Sequence, residues 1–127
     1  MKNIKYVILL FCALSFLGCK KNQLGGKSNI KGKVTHHDKA IPYARVYIKF
    51  NAKDLPGTDP SNFDTYVDAD LNGNFLIDKI YHGDYYFYGV GIDDALTAPD
   101  NVVKGGVYLK VKRLKEYPSF VVPVSED

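Results

Sequence analysis

The chain has 127 residues, with 17 basic and 14 acidic side chains and a net charge of +3. That length holds one small domain, and a charge so near balance argues against the clustered basic face that nucleic acid requires. Two cysteines, no tryptophan, ten tyrosines and seven phenylalanines point to bulk supplied by strand-favouring aromatics.

Met1 to Lys5 is short and basic, Tyr6 to Leu17 is apolar, and Gly18 immediately precedes Cys19. An apolar run of that length is too short for a stable transmembrane helix and fits the h-region of a secretory signal. The stretch Leu14-Ser15-Phe16-Leu17-Gly18-Cys19 resembles the lipobox of bacterial lipoproteins, with Phe16 where that family most often has Leu. The resemblance implies cleavage before Cys19, a diacylglycerol on its sulfur and an acyl chain on its new amine. An ordinary cleavable signal with an incidental cysteine is the alternative. One acyl chain attaches a protein reversibly, and two or more attach it stably. Residues 1–18 are thus expected to be the signal peptide. Cys12 leaves with it and lipid consumes Cys19, so the remaining domain must be held by its own core without a disulfide. Lys2 and Lys5 leave as well, and the resulting charge balance argues against a polybasic membrane patch. Lys20-Lys21 is not the Asp-after-Cys pattern that retains lipoproteins in inner membranes, and no acidic surface-export stretch follows. The expected location is the cell envelope, at the periplasmic side of the outer membrane.

Residues 19–28 are polar and glycine-containing and read as a flexible tether, leaving 29–127 for the domain. Ile30 to Thr35, Ala44 to Phe50 and Val107 to Lys112 alternate apolar with polar, the signature of strands with one buried face. Turn signals at Ala40-Ile41-Pro42, Pro56-Gly57, Asn72-Gly73, His82-Gly83-Asp84 and Gly105-Gly106 separate the runs. Strands are predicted at 29–36, 43–50, 63–69, 74–79, 84–91, 105–113 and 117–124. Seven short strands and no helical period predict an all-β chain, a seven-stranded immunoglobulin-like sandwich. Val46, Ile48, Phe75, Ile77, Tyr85, Phe87, Leu109 and Val111 are expected inside, with Arg45, Lys49 and Lys110 outside. Two connections, 51–62 and 92–104, exceed what a hairpin needs.

The ordered series Ile30-x-Gly32-x-Val34, Ala40-Ile41-Pro42-x-Ala44-x-Val46, Asp68 to Phe75 and Ile80-x-x-Gly83-x-Tyr85 resembles the carboxypeptidase regulatory-like domains. That resemblance implies a transthyretin-like sandwich and a non-catalytic module, which in exported bacterial proteins serves adhesion, scaffolding or carbohydrate-related surface work. A related branch hydrolyses 5-hydroxyisourate and ends in Tyr-Arg-Gly-Ser, whereas this chain ends Val122-Pro123-Val124-Ser125-Glu126-Asp127.

Three constellations bear on function. Asp68, Asp70 and Asn72 place oxygens at alternate positions, as the first half of an EF-hand loop does, but Lys79 occupies the closing position. A hairpin capped by its own Asp and Asn side chains is the competing reading, and any calcium effect is expected to be weak. His36-His37 is the one histidine cluster. Adjacent strand residues point to opposite faces, so both imidazoles reach one metal only if they sit in a turn, and exposed loop histidines are expected. Tyr86, Tyr88, Tyr47 and Tyr108 fall on outward faces beside Arg45, Lys49, Lys110 and Lys112. They form either a binding face for a protein or sugar ring or a cross-strand packing layer. No serine stands in a nucleophile motif, and no catalytic residue or cofactor beyond the lipid on Cys19 is expected. The chain reads as a lipid-anchored envelope module that binds or scaffolds, with the membrane, an envelope protein or a glycan as partner. The alternatives are a small carbohydrate-binding module or a transthyretin-like hydrolase.

Overall fold

The computed structural model describes residues 20–126, so Cys19 and the signal segment lie outside the described residues. The strands run β1 (Leu24–His36), β2 (Lys39–Ala40), β3 (Arg45–Phe50), β4 (Thr65–Asp68), β5 (Asn74–Ile80), β6 (Gly83–Ile92), β7 (Val102–Val111) and β8 (Glu116–Pro123). Seven of them overlap the seven predicted, and β2 is a two-residue addition folded back on the end of β1.

Two sheets face each other. In the first, β1 pairs antiparallel with β2 and β5 and parallel with β8. In the second, the order is β4-β3-β6-β7, all antiparallel. The period of two decides which side chains meet between the sheets. Ile30, Val34, Phe75, Ile77 and Val122 come from the first sheet, and Val46, Ile48, Tyr85, Phe87 and Val111 from the second. Phe87 meets Phe120 edge-on at 5.0 Å, the approach that ring quadrupoles favour. The expected core is therefore the observed one, with Leu109 half-buried at its margin. Arg45 and Lys49 are partly exposed on the outer face and Lys110 is exposed.

The tether expectation needs correction. Strand β1 starts at Leu24, and Ser28 is buried, its hydroxyl donating to the Lys112 carbonyl at 2.6 Å. Still earlier, Asn22 N donates to His82 O at 2.9 Å, and the side-chain oxygen of Asn22 accepts from Asp84 N at 2.9 Å. Gly25-Gly26 reads as linker composition, yet it makes a bulge with φ of +107° and +78° between two pairings to Ile80. The Tyr81 ring lies against both glycines, and a Cβ on either would fall 2.7 or 2.8 Å from it. Glycine here permits a close approach as well as a left-handed backbone.

The Asp68–Asn74 segment is also not a hairpin. It is a tight turn that carries the chain from β4 in one sheet to β5 in the other. Gly73 takes φ +74°, its N–H donates to Asp70 O at 3.0 Å, and Asp70 N donates to Asn74 O at 2.8 Å.

Candidate functional site

The register of the second sheet assembles the outward tyrosines. Tyr47 lies opposite Tyr66 on one side and Tyr88 on the other. Lys49 lies opposite Tyr86, which in turn lies opposite Tyr108. The four expected tyrosines do share a face, and Tyr66 joins them. The face is not open, however. Phe63, from the connection between β3 and β4, stacks on Tyr88 at 5.7 Å and 10° and tilts over Tyr47 at 5.5 Å. Tyr88 is left only 4% exposed. The covering segment is held by Asp64, whose carboxylate accepts from Phe50 N at 2.7 Å and lies 3.5 Å from Lys49 Nζ. Burial, then the nearby Asp54 charge, raises the Tyr86 hydroxyl above its ordinary pKa. Tyr108 is raised chiefly by the hydrogen bond that its hydroxyl donates to Asp84. Most of this surface is a packed layer.

Beside it, at the end of the sheet where β3 begins and β4 and β6 finish, an open groove of about 810 Å³ is lined by Tyr43, Arg45, Asp68, Leu71, Ile92 and Asp94. Arg45 grips Asp68 through Nε at 2.8 Å and a second nitrogen at 3.2 Å, a two-pronged geometry that fixes the guanidinium plane. That hydrogen bond is the main reason the Arg45 pKa is raised. The same guanidinium sits 4.0 Å above the Tyr66 ring. Tyr43 is 68% exposed and holds φ +56°, a left-handed backbone that costs a non-glycine residue about 1–2 kcal/mol. Its N–H is tied to Asp70 O at 3.0 Å. A large aromatic is thus held outward at a strained turn, in the same groove as a fixed ion pair. Sequence reasoning missed Tyr43 by placing it at the start of a strand; the Pro42-Tyr43 turn carries no glycine to mark it.

The oxygens proposed for calcium do not converge. Asp68 is occupied by Arg45, and Asp70 Oδ1 accepts from Asn72 N at 2.8 Å and from Asn74 N at 3.0 Å. Asp70 acts as the cap of the turn, and Asn72 enters through its backbone.

The histidine expectation fails for His36, which is 4% exposed. Its Nδ1 lies 2.7 Å from Asp93 Oδ2. Asp93 is buried as well, accepting also from Lys39 Nζ and Ala95 N, each at 3.0 Å. The hydrogen bond from His36, followed by those from Ala95 and Lys39, holds the Asp93 carboxyl well below the usual carboxylate range. This contact pins the connection between β6 and β7 to the β1–β2 turn.

No family model matches the sequence, and no curated protein matches it. Among the solved structures similar in fold are two of note. One is a DUF3823 family protein from Parabacteroides merdae, with TM-score 0.50 and 15% identity over 80% of this chain. The chain spans about half of that protein, 47% of its length. The other is a proposed carbohydrate-binding protein from Pseudomonas aeruginosa, with TM-score 0.50, 13% identity and coverage of 85% of this chain and 93% of that one. Identities this low speak to fold alone, and the fold they share with this chain is an all-β sandwich.

Proposed function

We propose that the chain is a lipid-anchored, non-catalytic binding module of the cell envelope, with a carboxypeptidase regulatory-like sandwich that holds a glycan in the Tyr43 groove. The observation that carries this reading is the groove itself. An exposed ring offers its face to a sugar, while the guanidinium of Arg45 and the carboxylates of Asp68 and Asp94 offer donors and acceptors to hydroxyls. Arg45 and Asp68 neutralise one another, which suits recognition better than proton transfer. The similar structure described as a proposed carbohydrate-binding protein agrees with this class of ligand.

The anchor supports an orientation. Only Lys20 and Lys21 separate Cys19 from Asn22, which is already bonded into the fold. Lipid on Cys19 would hold the adjacent end of the sandwich against the bilayer. That end carries Lys20, Lys27, Arg113 and Leu114 around one hollow, with Leu114 72% exposed. A cationic rim and an apolar tip suit contact with headgroups, although the total charge argues against a polybasic patch.

Two substitutions test the two halves. Cys19→Ser should release the protein from envelope membranes; membrane fractionation like that of the wild type sinks the anchor. Tyr43→Ala should abolish signal on a glycan array with little change in melting temperature, because the ring is exposed and alanine keeps the Cβ on which the left-handed strain rests. Glycan binding that survives Tyr43→Ala and Arg45→Ala together removes the groove. Cross-linking of an envelope protein through Tyr43 would favour a protein partner instead.

A further inference from the structure

His36 presents an unusual buried nitrogen. Its Nδ1 is held by Asp93, while Nε2 is buried and makes no hydrogen bond. The nearest group is the Glu126 carboxylate, which approaches Nε2 to 2.6 Å but without hydrogen-bond alignment. His37 stands next to it, its ring centroid 4.2 Å from that of His36. Consecutive residues on a strand would send these rings to opposite faces. Here His37 and Asp38 adopt φ +48° and +65°, and this turn returns the second imidazole to the side of the first. One donor atom each from His36, His37 and Glu126 lies within 4.8 Å of the others.

We propose that His36, His37 and Glu126 form a binding site for a divalent transition-metal ion of the zinc class, with Asp93 as the carboxylate that orients His36. Two imidazoles and one carboxylate are the donor set such ions prefer, whereas calcium takes six or more oxygens. When Nδ1–H of His36 donates to the Asp93 carboxylate 2.7 Å away, the Nε2 lone pair is aimed at the site, the orienting role a carboxylate plays behind a zinc-binding histidine. Ligands about 2.1 Å from a tetrahedral ion stand about 3.4 Å apart. The close His36–Glu126 contact would open and the widest separation would close. His37 is exposed and the Glu126 side chain is 41% exposed, so both are free to adjust. Three protein donors leave a fourth position for water or a ligand group. The ion would clasp the β1–β2 turn to the segment after β8. It would also brace the connection that begins at Asp93, whose neighbours Ile92 and Asp94 line the groove.

The rival explanation is an imidazolium between Asp93 and Glu126, which needs no metal. The full chain, purified in detergent and stripped with chelator, should take up one zinc ion per molecule and melt at a higher temperature when loaded. His37→Ala and Glu126→Gln alter exposed side chains and should melt as wild type in chelator, yet each should weaken zinc binding at least tenfold. Asp93→Asn should weaken it about 10–100-fold. Cobalt(II) should give a tetrahedral visible spectrum that His37→Ala abolishes. Absence of stoichiometric zinc binding, or binding untouched by both His37→Ala and Glu126→Gln, would overturn the site.

Discussion

On the outer face of the second sheet the aromatics are partnered: Phe63 lies on Tyr88 and Tyr47, Arg45 on Tyr66, and the Tyr108 hydroxyl on Asp84. At the β1–β2 turn, a buried ring nitrogen of His36 is left without a hydrogen bond. The first region is conspicuous in sequence and largely satisfied in space; the second is inconspicuous in sequence and unsatisfied in space. A run such as Tyr85-Tyr86-Phe87-Tyr88 attracts notice because strands favour aromatics, and for the same reason such residues find each other across a sheet. A histidine becomes chemically special through what long-range topology places around it. Asp93 lies 57 positions from His36. The difference teaches that local richness is a poor guide to unused bonding capacity.

The largest effect should come from Asp93→Ala, measured by urea melts in chelator. It strips the buried partner from His36 and the anchor from Lys39. The expected loss is roughly 3 kcal/mol, between the worth of a hydrogen bond to a charged group and the cost of breaking a buried pair. That is a large share of the ~5–15 kcal/mol a small domain possesses. A loss below about 1 kcal/mol would make the turn end no more demanding than an exposed ion pair.

Phe63→Ala probes the other side. Two ring contacts disappear, each worth about 0.5–1.5 kcal/mol beyond buried area, so a loss of about 1–3 kcal/mol is expected. Tyr88 should at the same time become accessible to a tyrosine-modifying reagent. If Tyr88 is already reactive in the wild type, the face is open and the aromatic reading of the site returns.

A third contrast lies between inward Tyr85 and outward Tyr86. Burial pushes the Tyr85 hydroxyl up to about 12, and that hydroxyl donates to Tyr81 O at 2.7 Å. A folded pKa above the unfolded value of about 10 means the unfolded chain loses this proton first. The stability Tyr85 supplies is therefore complete below about pH 10 and disappears as pH rises through about 12. Tyr85→Phe should flatten the alkaline limb of the stability curve and cost about 1 kcal/mol at neutral pH for the lost hydrogen bond. An unchanged alkaline limb would assign that limb to other groups.

Most of the fold was legible because period-two alternation records burial directly. Val46 and Ile48 face inward between Arg45, Tyr47 and Lys49 as the pattern requires. The two largest misses have one cause, which is that composition says nothing about what lies opposite. Gly25-Gly26 reads as linker, yet Tyr81 and the β5 backbone wait across from it. His36 reads as an exposed loop residue until Asp93 and Glu126 are brought to it. The Tyr43 groove was invisible for a second reason, since a left-handed tyrosine without glycine or asparagine leaves no mark in sequence.

The smallest effect should be that of calcium on Asp68, Asp70 and Asn72. Oxygens at alternate positions suggest a half-loop, but both carboxylates are already engaged. Asp68 would have to leave the guanidinium of Arg45, and Asp70 Oδ1 would have to release two backbone N–H groups that hold the turn. Calcium must replace those bonds before it gains any of its own, and it still lacks the bidentate carboxylate that closes an EF-hand. In a domain of this size 1 kcal/mol moves the melting temperature by about 4–8 °C, so millimolar calcium should move it by less than about 1 °C. Arg45→Ala frees Asp68 and sharpens the test, because calcium sensitivity that emerges only in that variant would show the ion pair to be what blocks the site. A rise of many degrees in the wild type would instead mean that the turn opens to bind the ion, and the contrast drawn with the histidine end would fail.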